Sequence, residues 1–254
     1  MIYKFIGLSN ELDTLDRLRQ IVEDNTVYAA SATDFNDPFE LKVDYSWEAT
    51  EAELRAKYFS DHPGATDESC SDWLTRVGEP GWNWWTQQMN RGGFTSQFGL
   101  TCFSLDRANL LLWSHYAAQH QGCCVAIAPD AVRAADEHFA SGPVVYQDEA
   151  PRFDYVHDSL DHLVKSVFFH KASAWAYEGE YRAVFEKQGA IPLPAGSVKG
   201  VYLGCRAYGA LRRYAQDHFG NPDIRFVQMT EDFGAYRVHE RPLVQGTMHM
   251  SSFS

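Results

Sequence analysis

An α+β fold is predicted for this chain, with mixed or antiparallel central sheets and flanking helices. Three observations lead there. Helical and strand patterns interleave irregularly, without the steady strand–helix alternation of a parallel α/β sheet. The longest helical pattern sits mid-chain, and no internal repeat or low-complexity tract occurs. The chain has 254 residues, 45% of them hydrophobic and 22% charged, which gives enough apolar surface for a sizeable core and excludes a disordered polymer. We read residues 1–254 as one domain carrying a mainly helical insertion at about residues 47–92.

Residues 2–7 form a short strand pattern. Ser9 or Asn10 then caps a helix with Leu12, Leu15, Leu18 and Ile21 as its apolar stripe. Residues 27–30 read as a strand entering the turn-rich segment 34–40, where Pro38 holds Asp37 extended. Residues 41–45 continue as strand. In the insertion, Thr50 and Glu53 have capping-box spacing. A Trp cluster follows at Trp73, Trp82, Trp84 and Trp85. Residues 99–104 read as strand and 107–119 as a helix closed by Gly122. Residues 123–128 read as a buried strand, 129–139 as helix and 143–146 as strand. A long helix is predicted over 155–174. Strands follow at 180–185 and 198–203, a helix at 208–219, and late strands at 224–229 and 236–239.

The acid excess (34 Asp and Glu against 22 Lys and Arg, net charge −12) argues against a surface that grips extended duplex nucleic acid through neutralised phosphates. No run of about 18 apolar residues is present to span a membrane, and the opening residues lack the pattern of a secretion signal. Five cysteines without a CxxC predict reduced, packed thiols and a cytoplasmic setting.

The P-loop, GxGxxG, GxSxG and HExxH patterns are all missing. The most informative stretch is Lys171 to Arg182. If a strand begins at Glu178, then Glu178, Glu180 and Arg182 share one face, the two acids about 7 Å apart. Such a pair can divide roles, one acid raised by its neighbour's charge and the other kept ionised by Arg. A structural Arg–Glu pair reads equally well from the same residues. In the 35–40 turn, Asn36 and Asp37 suit a rigid loop at a pocket wall. Trp113, His115 and Tyr116 share a helix, where Tyr116 can present its hydroxyl to a ligand. Asp158 and His162 lie four apart but lack the further ligands of a metal centre, so no metal is expected. Cys123 and Cys124 lie in an apolar strand, where burial raises thiol pKa.

Taken together, Tyr3-Lys4, Phe35 to Glu40, Cys102-Phe103-Ser104, Trp113 with Tyr116 and Gly122, and Lys171, Trp175, Glu178, Glu180 and Arg182 resemble a group of bacterial cytoplasmic proteins that share a domain of unknown function. More distantly, Glu178-x-Glu180 leading into an apolar strand is similar to the catalytic loop of mono-ADP-ribosyltransferases. That resemblance implies NAD as substrate and an ADP-ribosyltransferase-like fold. It gives Glu180 the oxocarbenium-like transition state and leaves Glu178 and Arg182 to activate or orient. Tyr3, Lys4, Asn36, Asp37, Ser104, Tyr116 and Trp175 would hold the dinucleotide. A protein or nucleic-acid acceptor and a toxin or defence role are its further implications. The rival expectations are a non-catalytic nucleotide-sensing module and a phosphate-directed, nuclease-like enzyme.

Overall fold

The computed structural model of this chain describes residues 1–35 and 37–243. Its elements are β1 (Ile2–Ile6), α1 (Glu11–Val22), β2 (Thr26–Ser31), β3 (Asp44–Ser46), α2 (Glu51–Asp61), α3 (Asp67–Val77), α4 (Trp82–Met89) and β4 (Gly99–Ser104). There follow α5 (Leu110–Tyr116), β5 (Cys123–Ile127), α6 (Pro129–Arg133), β6 (His138–Pro143), β7 (Val145–Tyr146), β8 (Arg152–Asp154), α7 (Leu160–Phe168) and β9 (His170–Lys171). The last are β10 (Glu180–Phe185), β11 (Gly189–Pro192), β12 (Val198–Leu203), α8 (Gly209–Asp217), β13 (Arg225–Glu231) and β14 (Val238–Pro242). The architecture is α+β, a large mixed sheet with helices. Contacts sort the chain into two compact units. The first holds Met1–Ala29, Leu100–Pro143 and the chain from Tyr177; the second holds Ala30–Gly99 and Val144–Ala176.

The first unit is built on a ten-stranded sheet in the order β11-β2-β4-β1-β5-β12-β13-β14, with β10 paired to both β4 and β6. β12 and β13 run parallel, joined through α8, while β1 pairs antiparallel with β4 and β5. Side-chain alternation along β1 serves two cores. Ile2 and Ile6 pack with Leu15, Leu18 and Ile21 of α1 and with Leu211 of α8; Tyr3 packs with Trp113, Cys124, Ala126 and Tyr202. Asn10 caps α1 by accepting from the Asp13 N–H. Leu12, expected in the stripe, is exposed. It stands nine residues before Ile21, and at 3.6 residues per turn that is half a revolution away.

The second unit has two short parallel pairings, β3 with β8 and β7 with β9. The capping box at Thr50 and Glu53 is present in both its arms. Trp73, Trp82 and Tyr155 surround Trp47 at ring distances of 6.1, 6.0 and 4.6 Å, while Trp84 is exposed. Among the described residues no helix is long and apolar enough to cross a membrane.

Several element ends differ from the sequence expectation. The strand expected at 41–45 is reduced to β3 because Leu41 takes φ +60°. The 107–119 helix starts only where the Asn109 side chain accepts from Leu111 and Leu112. It ends at Tyr116, before three consecutive left-handed residues, Ala118, Gln119 and His120. Gly122 is therefore no helix cap; it lets the backbone pass close to Ile6, whose carbonyl oxygen would lie 2.0 Å from an added Cβ. The 129–139 helix stops at Arg133, and His138–Pro143 instead pairs antiparallel with β10. The long 155–174 helix contracts to α7. Asp154 accepts from the N–H of Val156 and of His157, which closes a turn, and Ser159 caps the helix behind it.

Candidate functional site

The two acids singled out by sequence sit at a turn-to-strand junction of the first unit. Gly179 between them adopts φ +50°, a left-handed conformation that glycine takes without Cβ strain. The strand accordingly begins at Glu180, and Glu178 belongs to the preceding helical turn. The expected single face carrying Glu178, Glu180 and Arg182 does not form; only Glu180 and Arg182 share it. The turn is fastened to β4 and the start of α5. Ser104 Oγ donates to the Glu178 carbonyl at 2.8 Å, the Leu105 N–H donates to the Gly179 carbonyl at 2.9 Å, and Asn109 Nδ2 donates to the Tyr177 carbonyl. Ser104 thus holds the acidic turn through main chain.

Each acid has its own partner. Tyr116 Oη donates to Glu178 Oε1 at 2.6 Å. Arg182 grips Glu180 with both arms, Nε to Oε1 at 2.6 Å and Nη2 to Oε2 at 3.0 Å. That fork-on-fork geometry is the strongest form of side-chain ion pair. The Glu180 and Arg182 side chains are 2% and 0% exposed, and Glu178 is also buried, while Tyr116 is 37% exposed.

Lys4 and Tyr3 separate by strand alternation. Lys4 Nζ donates to the Cys102 carbonyl at 3.0 Å. Burial lowers its pKa, opposed by the nearby Cys102 and Glu180. Burial likewise pushes the Cys102 thiol up, with the Glu180 carboxylate pressing the same way. Lys4 therefore stands within electrostatic reach of Glu180. Tyr3 instead lies in the second core, where Arg107 covers its ring at 5.6 Å and donates to its hydroxyl at 3.3 Å.

The remaining expected residues fall in the second unit. Trp175 Nε1 donates to Asp37 Oδ2 at 2.8 Å, and Lys171 Nζ lies 3.1 Å from Glu40 Oε1 and 4.8 Å from the Trp175 ring centre. The 35–40 loop and the Lys171–Trp175 stretch thus meet in one packed cluster with a buried ion pair. Asn36 lies outside the described residues. The Lys171–Glu40 pair was not singled out as a site from sequence. Each residue lies in a sequence segment named above, but no local rule couples positions 131 apart. Among the described residues, the second unit carries a surface hollow of about 420 Å³ beside Glu51 and Arg55 and another of about 630 Å³ beside His162 and His170. Neither is lined by Glu178, Glu180 or Arg182. Among the described residues no three His, Cys, Asp or Glu side chains are grouped to hold a metal ion.

Compared with known proteins, the chain significantly matches no family model, no curated protein and no solved structure.

Proposed function

We propose that the chain is an ADP-ribosyl-type enzyme that breaks the nicotinamide–ribose bond of NAD. The carrying observation is the Glu178-Gly179-Glu180 turn, in which two buried carboxylates are held by separate partners, Tyr116 and Arg182. Leaving-group departure builds positive charge at C1′ of the ribose. A carboxylate fixed in advance in a dry setting stabilises that charge more in the transition state than in the ground state. The motif resemblance gives this task to Glu180. The geometry favours Glu178, because both Glu180 oxygens are engaged by Arg182, whereas Glu178 adjoins a tyrosine with solvent access. In this reading Arg182 and Glu180 anchor the strand start. The C1′–N bond breaks with its electron pair going to nicotinamide. Water or an acceptor nucleophile then bonds to C1′, and its proton passes to Glu178 or to solvent.

The test is nicotinamide release from NAD by the folded protein. Release is expected, with a loss of about 100-fold or more in Glu178→Gln, the size typical of a removed acid–base or charge-stabilising group. Absence of release by well-folded wild type overturns the reading. A second reading, a non-catalytic nucleotide-binding module, is favoured by the closed Glu180–Arg182 pair. It predicts NAD binding without turnover, unchanged in Glu178→Gln. Magnesium-dependent cleavage of nucleic acid would support the nuclease-like alternative.

A further inference from the structure

The hollow of about 630 Å³ on the second unit lies between residues 147–152 and a row formed by His162, Ser166 and His170. His162 and Ser166 are one helical turn apart on α7, and His170 stands four residues further on. Ser166 is 1% exposed, and its hydroxyl has no hydrogen-bond partner among the described residues. A buried hydroxyl left in that state is costly, so its retention asks for a group from outside the chain.

The imidazoles define what that group offers. His162 Nδ1 lies 3.2 Å from an Asp158 carboxylate oxygen, and His170 Nδ1 lies 3.0 Å from the Lys165 carbonyl oxygen. Both partners can only accept, so each Nδ1 carries the hydrogen, and a neutral ring is left with its Nε2 lone pair. Asp148 and Glu149 add carboxylates to the same wall. Gln147 spends its Nε2 on the Glu149 carbonyl at 2.7 Å, which leaves its amide oxygen to accept. The cation of the lining, Arg152, is bound to Glu48 and to Ser46 Oγ, each at 2.8 Å. The hollow is thus rich in acceptors. His162 stands on α7, whereas His170 lies beyond the end of that helix, in β9. Among the described residues no three His, Cys, Asp or Glu side chains are grouped to hold a metal ion, here or elsewhere. A hollow of about 630 Å³ takes far more than a single ion, and acceptors drawn from residues 147–149, α7 and β9 match a ligand with several N–H donors set apart along it.

We propose that this hollow binds a linear polyamine, whose ammonium groups donate to Asp148, Glu149 and the histidine Nε2 atoms while Ser166 Oγ accepts a further N–H. The chain's net charge of −12 favours approach of such a cation. The site is independent of the acids at 178 and 180.

Spermidine is the probe, titrated calorimetrically into the intact protein at about 0.15 M salt. Saturable one-to-one binding is expected. Asp148→Asn combined with Glu149→Gln should weaken it about tenfold, the worth of a lost hydrogen bond to a charged group. Asp67→Asn combined with Glu68→Gln makes the same charge change on α3 and should leave the affinity unaltered. Ser166→Ala should weaken binding about threefold and, without spermidine, raise the melting temperature by about 2 °C, because it deletes an unsatisfied buried hydroxyl. No saturation below about 1 mM, equal weakening by both charge variants, or wild-type affinity in Ser166→Ala would overturn the proposal.

Discussion

Arg182 and Glu180 show how a residue that reads as chemistry can be held as structure. Both side chains are buried and locked in a two-point ion pair. Deleting one partner strands the other's charge in the protein interior. Arg182→Ala is expected to cost about 3–5 kcal/mol, read from urea unfolding. Replacing both residues by apolar ones of similar volume should cost much less than the sum of the single changes. Glu180→Gln therefore changes stability as well as charge, and activity of that variant is interpretable only at matched folded fraction.

His157 provides a residue-scale test of pH dependence. Its ring is 3.1 Å from Asp154 and 3.8 Å from Glu53. The Asp154 hydrogen bond, then the Asp154 charge, raise its pKa above 6.5. A raised folded-state pKa adds stability that is fully present below the unfolded value and is lost as pH climbs through the folded one. The melting temperature should accordingly drop between about pH 6 and pH 8, and His157→Gln should flatten that drop. The ring is half exposed, so the effect is small. Equal slopes in the two proteins would remove His157 from the account.

At the scale of elements, the segment after α5 carries the clearest backbone strain. Ala118, Gln119 and His120 have φ of 46°, 55° and 68°. A left-handed non-glycine residue costs about 1–2 kcal/mol. The run persists because neighbours hold it, with His120 N–H bonded to the Trp113 carbonyl and Arg206 N–H to the His120 carbonyl. Exposed Gln119 should tolerate Gly with a gain of about 1 kcal/mol, seen as a higher melting temperature. Gly122→Ala should do the reverse and prevent normal folding, since the new Cβ would meet the Ile6 carbonyl oxygen at 2.0 Å. Sequence periodicity located α5 but overran both its ends. The Asn109 cap is a local signal legible in the sequence, and it sets the start of the helix. The left-handed run carries no glycine to announce it, and only packing enforces it.

At the scale of the whole molecule, the five thiols report on packing. Cys70, Cys123 and Cys124 are buried, and Cys102 and Cys205 are partly exposed. Burial pushes Cys123 up to about 12 and Cys205 up to about 11, and raises Cys102 and Cys124 as well. Because the thiolate is the reactive form, alkylation of native protein near pH 8 should run far slower than of unfolded protein at Cys102, Cys123, Cys124 and Cys205. Rapid native labelling of Cys123 or Cys124 would contradict the five-stranded neighbourhood β4-β1-β5-β12-β13 in which they lie.

By itself the amino-acid sequence determined the α+β class, a helix start at Ser9 or Asn10, the Thr50–Glu53 helix start and the all-apolar strand at Cys123–Ile127. Those features rest on energies that act within about one helical turn or along one strand, so the residues concerned are neighbours in the chain. Tertiary structure alone decided that Glu178 turns away from Glu180 to meet Tyr116. It also decided that Lys171 closes on Glu40, that His138–Pro143 becomes strand beside β10, and that Ser166 is buried without a partner. The pairings among these join positions 38 to 131 apart, and the unmet hydroxyl of Ser166 is likewise a matter of what packs around it. Such outcomes depend on which surfaces the whole sheet brings together, and short-range propensity holds no record of that.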